Sequence, residues 1–431
     1  MHLRFKRSDD FVWSFFCVNE TVRVAQRYFD EGSLSQREIR SCSMSEGFIP
    51  LSVPNLKGKE LEYVTEAVRS EWVSTAGSYV SDFEASIADY VGARGAVACQ
   101  SGTAGIHTAL ILAGVKPDDL VIVPTLTFIA AVNPVKYLNA DPVFMDCDDS
   151  LCVDPSKVRA FCAHECEMRN GVLFHKASNR RVSALVVVHV FGNMADMGEL
   201  MEIAHEFNLM LIEDATEALG TYYEEGPFAG SYAGTIGDIG IYSFNGNKII
   251  TTGGGGMIVS RSDECLTHAK HLTTQAKSDP LYYEHDEVGY NYRLTNLQAA
   301  LGLAQMEQLN KFIETKNENY EYYKHLLESI EGVSLLGFRE GVNSNKWFYS
   351  LLCEDPAIDR DALISFLQTQ DIQTRPIWGL IHEQAPYEGA ITYQITEAPK
   401  YRSKVVNLPC STNLEKEDID RVVAAIEEAI A

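Results

Sequence analysis

No apolar run in this 431-residue chain approaches the roughly 20 residues that a helix needs to cross a bilayer, which excludes a transmembrane helix. Positive charge is scarce: 36 Lys and Arg stand against 60 Asp and Glu, a formal net charge of −24. That balance argues against a nucleic-acid partner, whose phosphates call for a basic face. It does not exclude a nucleotide diphosphate, which local backbone dipoles and a few cations are enough to hold. The ten cysteines lack the even spacing of a disulfide framework and fit a reducing cytoplasm. Cys162-Ala163-His164-Glu165-Cys166 has no second paired group at zinc spacing, so no metal is expected there. The glycines at 253 to 256 do not open a helix as Gly-x-Gly-x-x-Gly does, which counts against a dinucleotide-binding oxidoreductase. Internal repeats and low-complexity tracts are absent.

A hydrophobic content of 46% is enough for a large core, and the length suggests two or three domain-sized units. Apolar runs predict strands at 96–99, 120–123, 143–145, 184–188, 209–212, 239–243 and 257–260, many of them separated by helical segments. That alternation predicts an α/β fold with a mostly parallel seven-stranded sheet covered on both faces. Two helices precede it, with Leu61, Val64 and Val68 on one and Phe83, Ile87 and Tyr90 on the other, each spaced for one buried face. Residues 44–293 form the expected large domain. Residues 294–431 form a bridging helix through Leu297, Leu301 and Ala304 and a small α+β domain, with a strand over 347–353 and helices over 361–367 and near the C-terminus. Thr374 to Trp378 and Asn407 to Pro409 read as loops able to close over a substrate, with Arg375 either meeting an anion or solvated. In residues 1–43, Arg4, Lys6 and Arg7 precede the apolar Phe11 to Val18, but Asp9 and Asp10 intervene and the apolar core is short. Export is rejected, and the segment reads as a non-catalytic extension.

Three motifs carry chemistry. Tyr242-Ser243-Phe244-Asn245-Gly246-Asn247-Lys248 ends a predicted strand with a hydroxyl and an amine, and glycines 253 to 256 let the chain turn back. Glu213-Asp214-Ala215-Thr216-Glu217 puts carboxylates at a strand's carboxyl end, where open α/β sheets bind ligands. Gln100-Ser101-Gly102-Thr103-Ala104-Gly105 joins a strand to a helix start whose N–H groups suit an anion. Taken singly, Lys248 also reads as a surface lysine, Asp214 as a helix cap, and the small residues as packing. Together they form the set that pyridoxal phosphate needs: an amine for its aldehyde, an acid for its ring nitrogen and neutral donors for its phosphate. His189 ends another strand facing the same side, with a packing role equally open.

From about Ile49 onward the chain resembles the nucleotide-sugar aminotransferases of the DegT/StrS family, a branch of the fold-type I pyridoxal phosphate enzymes. The resemblance runs through Trp72 to Thr75, Ser101 to Ala104, Pro124 to Ala130, Val188 to Gly192, Glu213 to Ala215, Ser243 to Lys248 and Gly289 to Asn296. It implies that Lys248 bonds to the cofactor and moves protons, and that Asp214 holds the pyridine nitrogen. Thr103, Ala104 and Ser243 would bind phosphate, and Phe128 would stack on the ring. Asn291 would reach the neighbouring subunit's cofactor, making the enzyme a homodimer with shared active sites. L-glutamate would be the donor and a UDP- or GDP-linked sugar the acceptor.

Glu217 departs from the Gln or His that the family most often places next to the cofactor's phenolic oxygen. Two like charges about 4 Å apart would repel by about 4 kcal/mol at an effective dielectric near 20, so Glu217 is expected to be protonated or turned toward another donor. Asn245 to Thr252, the Thr-Glu pair after Asp214 and a polar insertion near 165–181 look most like relatives that aminate C4 of 4-keto-6-deoxy-N-acetylhexosamines toward legionaminic acid or bacillosamine. The rivals are a sugar dehydratase, whose relatives carry histidine in place of Lys248, and a non-catalytic regulatory protein.

Overall fold

The strands of the large sheet form where Val, Ile and Leu occupy consecutive positions, because a strand covered on both faces needs apolar side chains pointing both ways. Leu120–Pro124 is buried at every residue, and Arg180–Val188 is buried from Val182 onward. The computed structural model describes residues 47–279 and 281–430, so the expected extension at 1–43 lies outside the described residues. From Ile49 onward the chain forms one contact unit.

The large sheet has ten strands rather than seven, and the architecture is α/β. Along its main path lie Gly95–Cys99, Gly256–Ser260, Ile239–Ser243, Met210–Asp214, Arg180–Val188, Leu120–Pro124, Asp141–Met145 and Ile391–Tyr393. The first two pairings are antiparallel and the remaining five parallel. All seven expected strands are present. Two of the additions come from the polar insertion: Cys166–Arg169 and Val172–His175 form a hairpin whose second strand pairs with Arg180–Val188. Its turn is Asn170-Gly171, both at positive φ (52° and 78°), the geometry that favours a tight two-residue hairpin. Cys162 ends in a helix and Cys166 in this hairpin, and among the described residues no cluster suited to a metal occurs. The third addition, Ile391–Tyr393, joins the sheet edge in parallel with Asp141–Met145.

A second sheet is built from Val333–Leu335, Tyr349–Cys353, Val405–Leu408 and Arg375–Pro376. The chain after Leu294 therefore contributes to both sheets. The helical stretch after Leu294 is divided into Asn296–Met306 and Leu309–Leu327. Each of the two expected substrate loops contributes two residues to strands of this sheet, Arg375 and Pro376 from the first and Asn407 and Leu408 from the second, and Arg375 pairs with Asn407. Beyond that pairing, Ile381 N–H donates to the Thr125 carbonyl at 3.0 Å and ties the segment to the carboxyl end of Leu120–Pro124.

The expected inward face of the first helix is corrected. In Glu60–Arg69 the buried residues are Glu60 and Ala67, whereas Leu61 is 80% and Val68 53% exposed. The cause is polar: the Glu60 carboxylate accepts from Gly58 N–H and from the Gln305 and Gln308 amides, which fixes the helix with this side inward. The following helix, Ser78–Val91, buries Phe83 and Ile87 as its spacing predicts.

Candidate active site

Strands Met210–Asp214 and Ile239–Ser243 run parallel, with Asp214 opposite Ile241, so their carboxyl ends share one edge of the sheet. Side chains alternate faces along a strand, and the two acids ending Met210–Asp214 part accordingly. Glu213 accepts from the backbone N–H groups of Gly234, Ile236 and Gly237 and from His189 Nε2 at 2.9 Å. The other His189 nitrogen, Nδ1, accepts from Ala195 N–H at 3.2 Å, which leaves the ring proton on Nε2. His189 is fully buried with both nitrogens engaged, so the packing role holds for it.

Asp214 lies on the other face. It is 3% exposed, and its carboxylate accepts from Thr216 N–H at 3.0 Å, the local capping bond that its position after a strand allows. Burial raises its pKa, and the Thr216 bonds and the charges of Lys248 and His189 only partly oppose this.

Lys248 stands in the connection between Ile239–Ser243 and Gly256–Ser260, strands joined in register at Ser243 and Gly256. The connection is closed by Phe244 N–H donating to Gly255 O and Thr252 N–H donating to Phe244 O, both at 2.9 Å. This places the Lys248 side chain, 12% exposed, 3.7 Å from a Glu217 carboxylate oxygen. The second Glu217 oxygen accepts from Phe191 N–H at 2.8 Å. Burial pushes its carboxyl up to about 7 despite the opposing Lys248 charge.

The small residues after Gly95–Cys99 are held closely. A side chain at Gly102 would lie 2.9 Å from Thr216 and 3.1 Å from Ser243, so the helix start, the loop after Asp214 and the Ser243 strand end meet at one point. Ala104 N–H is engaged by the Ser101 hydroxyl at 3.1 Å as a helix cap. The unengaged donors at this helix start are therefore those of Gly102 and Thr103 rather than Ala104. Phe128, 54% exposed, precedes the short helix Ile129–Ala131, its ring 6.5 Å from Trp378. Asn291 is exposed and accepts from Arg293 Nε at 3.1 Å, separate from the Lys248 cluster.

These features fit pyridoxal phosphate. A buried carboxyl with one backbone partner suits a ring N–H, a helix start beside the Ser243 side chain suits an anion, and a shielded amine stands beside them. Sequence reasoning missed Trp347, read only as the start of a strand. Its indole N–H donates to the Asn247 carbonyl at 2.7 Å across 100 residues of chain, and its ring centroid is 4.2 Å from Lys248 Nζ. No local pattern signals such a contact.

The model of the DegT/DnrJ/EryC1/StrS aminotransferase family matches residues 54–427. The chain is 35% identical to a GDP-perosamine synthase of Caulobacter vibrioides, over 89% of this chain and 98% of that one. It is 28% identical to a UDP-4-amino-4-deoxy-L-arabinose–oxoglutarate aminotransferase of Shewanella sediminis, over 90% of this chain and 99% of that one. Among solved structures, the aminotransferase TlmJ from Streptoalloteichus hindustanus superposes with a TM-score of 0.79 at 25% identity, covering 89% of this chain and 99% of that one. With its sheet, strand-end acids and shielded lysine, the chain belongs to the DegT/DnrJ/EryC1/StrS family and is a pyridoxal phosphate-dependent aminotransferase of the sugar-modifying kind.

Proposed function

We propose that the chain transfers an amino group from L-glutamate to C4 of a nucleotide-linked 4-keto-6-deoxy-N-acetylhexosamine, UDP- or GDP-linked, in cytoplasmic synthesis of a surface glycan of the legionaminic acid or bacillosamine type. The observation that carries this reading is the buried grouping of Asp214, Glu217 and Lys248 at the strand ends of a family member. The likeness to a GDP-perosamine synthase supports a GDP-linked acceptor.

Pyridoxal phosphate, when bound, supplies an aldehyde for the amine and a ring that withdraws electrons from the reacting carbon. Asp214 would keep the proton on the cofactor's ring nitrogen, Gly102 and Thr103 N–H and the Ser243 hydroxyl would hold its phosphate, and Phe128 would cover a ring face. Lys248 Nζ takes the proton from the donor's α-carbon in one half-reaction and delivers a proton at the sugar's C4 in the other. A second copy of the chain completes the site: Asn291 is exposed, and Leu61, Val68, Trp72, Leu281, Tyr282, Tyr283 and Val288 offer it apolar surface.

The test records the visible absorbance of the purified protein, adds glutamate, and maps the borohydride-reduced adduct. A yellow band that bleaches with glutamate and an adduct on Lys248 uphold the reading. UDP- and GDP-linked 4-keto sugars, with and without the acetamido group, then separate the acceptors. Absence of cofactor together with failure to bind it on addition would overturn the reading and favour a regulatory role. Sedimentation of Leu61→Asp/Val68→Asp, expected to yield monomer, tests the second copy.

A further inference from the structure

Trp347 comes from the C-terminal half of the chain, yet it touches the Lys248 loop twice: its N–H holds the Asn247 carbonyl at 2.7 Å, and its ring face meets the Lys248 ammonium at 4.2 Å. The ring is 3% exposed, and a cation over a desolvated indole gains more than one in water. Glu217, 3.7 Å from Nζ, approaches the same ammonium.

The two groups are built as a unit. Asn345 Nδ2 donates to the carbonyls of Glu217 and Leu219 at 3.0 and 2.9 Å, and Asn345 Oδ1 accepts from the Trp347 backbone N–H at 3.0 Å. The Trp347 carbonyl accepts from the buried Lys316 ammonium at 2.8 Å. A Cβ at Gly192 (φ +88°) would fall 2.0 Å from Asn345 Oδ1 and 3.0 Å from Trp347 N, so the close approach requires glycine there. This scaffolding ties the backbone of Trp347 to the backbone of Glu217 through one side chain, Asn345.

The geometry points to Trp347 as a positioning residue: with Glu217 it forms the seat in which the Lys248 ammonium rests whenever that lysine is not bonded to the cofactor. The role rests on the proposal that Lys248 is the cofactor lysine. Transamination requires Lys248 to leave the cofactor when the donor amine arrives and to return afterwards. A freed ammonium at a shielded position needs a partner or it disorders the site. The indole holds the ammonium, and the Glu217 carboxylate 3.7 Å away can take the proton that the amine must lose before it bonds to the cofactor again.

The test uses the full-length protein labelled with 5-fluorotryptophan, whose four tryptophans give separable fluorine resonances; Trp347→Phe identifies the one of interest. In cofactor-free protein, Lys248→Met is expected to move the Trp347 resonance and leave the other three in place. Added pyridoxal phosphate is expected to move it in wild type, and glutamate to return it toward its starting position. In single-turnover experiments Trp347→Leu is expected to slow recovery of the yellow band about tenfold, the scale of a partly desolvated cation–π contact, while Trp347→Phe retains most of the rate. An unmoved resonance in Lys248→Met, or equal recovery rates for the Leu and Phe variants, would overturn the proposal. If borohydride mapping places the cofactor elsewhere, the assignment of Lys248 fails, and the Lys248→Met shift still decides whether the seat exists.

Discussion

Two strand ends of the same sheet carry buried carboxylates, and they are treated in opposite ways. Asp146, just past Asp141–Met145, is fully buried and accepts from the Lys157 ammonium at 2.5 Å and from the N–H groups of Thr396, Glu397 and Ala398 at 2.6, 2.7 and 2.8 Å. Burial alone would raise its pKa, but these partners outweigh burial and hold it down to about 2. Asp214 and Glu217 are nearly as buried, each with a single backbone N–H on its carboxylate, and burial raises both, Glu217 to about 7. A carboxylate with a full set of donors is an anchor of the fold. One left short of donors keeps its interaction free for a ligand or a proton, and that shortage separates the site from the scaffold.

The comparison would break most visibly at Lys248, the cation on the under-satisfied side. Lys248→Ala is expected to retain cofactor binding and folding while turnover falls by about 10²–10⁴-fold, the range for loss of a positioned acid–base; turnover near wild type would remove Lys248 from its role. Asp146→Asn should do the reverse, costing about 3 kcal/mol in a denaturant titration because it deprives the half-buried Lys157 and three backbone N–H groups of the buried carboxylate they share. The pH dependence sharpens the contrast. Asp146, with its folded pKa at about 2 against an ordinary 3.8, contributes about 2 kcal/mol that is present above pH 4 and lost as pH falls through 2.

Glu217 has the opposite sign. Its folded pKa of about 7 exceeds the ordinary 4.5, so the native state binds the extra proton and a penalty grows as pH rises from 4.5 to 7, reaching about 3 kcal/mol. Cofactor-free Glu217→Gln should therefore match wild type near pH 4 and exceed its stability near pH 8; equal stability at both would show the carboxyl to be ordinary. The smallest effect belongs to the helix start: Ser101→Ala removes the cap on Ala104 N–H and should cost about 1 kcal/mol by thermal denaturation.

The central strands were legible because burial on both faces demands unbroken apolar runs, as in Leu120–Pro124. So was the placement of Asp214 and Lys248 at neighbouring strand ends, since each motif directly follows its run. What failed was decided by distant partners. Leu61 and Val68 have helical spacing but face outward, because Glu60 is claimed by Gln305 and Gln308. Arg375–Pro376 was read as loop because its two-residue strand exists only through Val405–Leu408. Ile391–Tyr393, too short to signal itself, depends on Asp141–Met145. Trp347 is invisible to any local window for the same reason.

That late strand has a consequence for how the protein is made. Ile391–Tyr393 closes the far edge of the large sheet, and Ala398 N–H reaches an Asp146 oxygen across 252 residues. A ribosome presenting the chain from its N-terminus can release every other strand of that sheet before this one emerges. Until then the edge of Asp141–Met145 lacks its neighbour and Asp146 lacks its three backbone donors, leaving an open strand edge prone to wrong pairing. Nascent chains stalled before residue 391 should therefore be the most chaperone-dependent stage of synthesis.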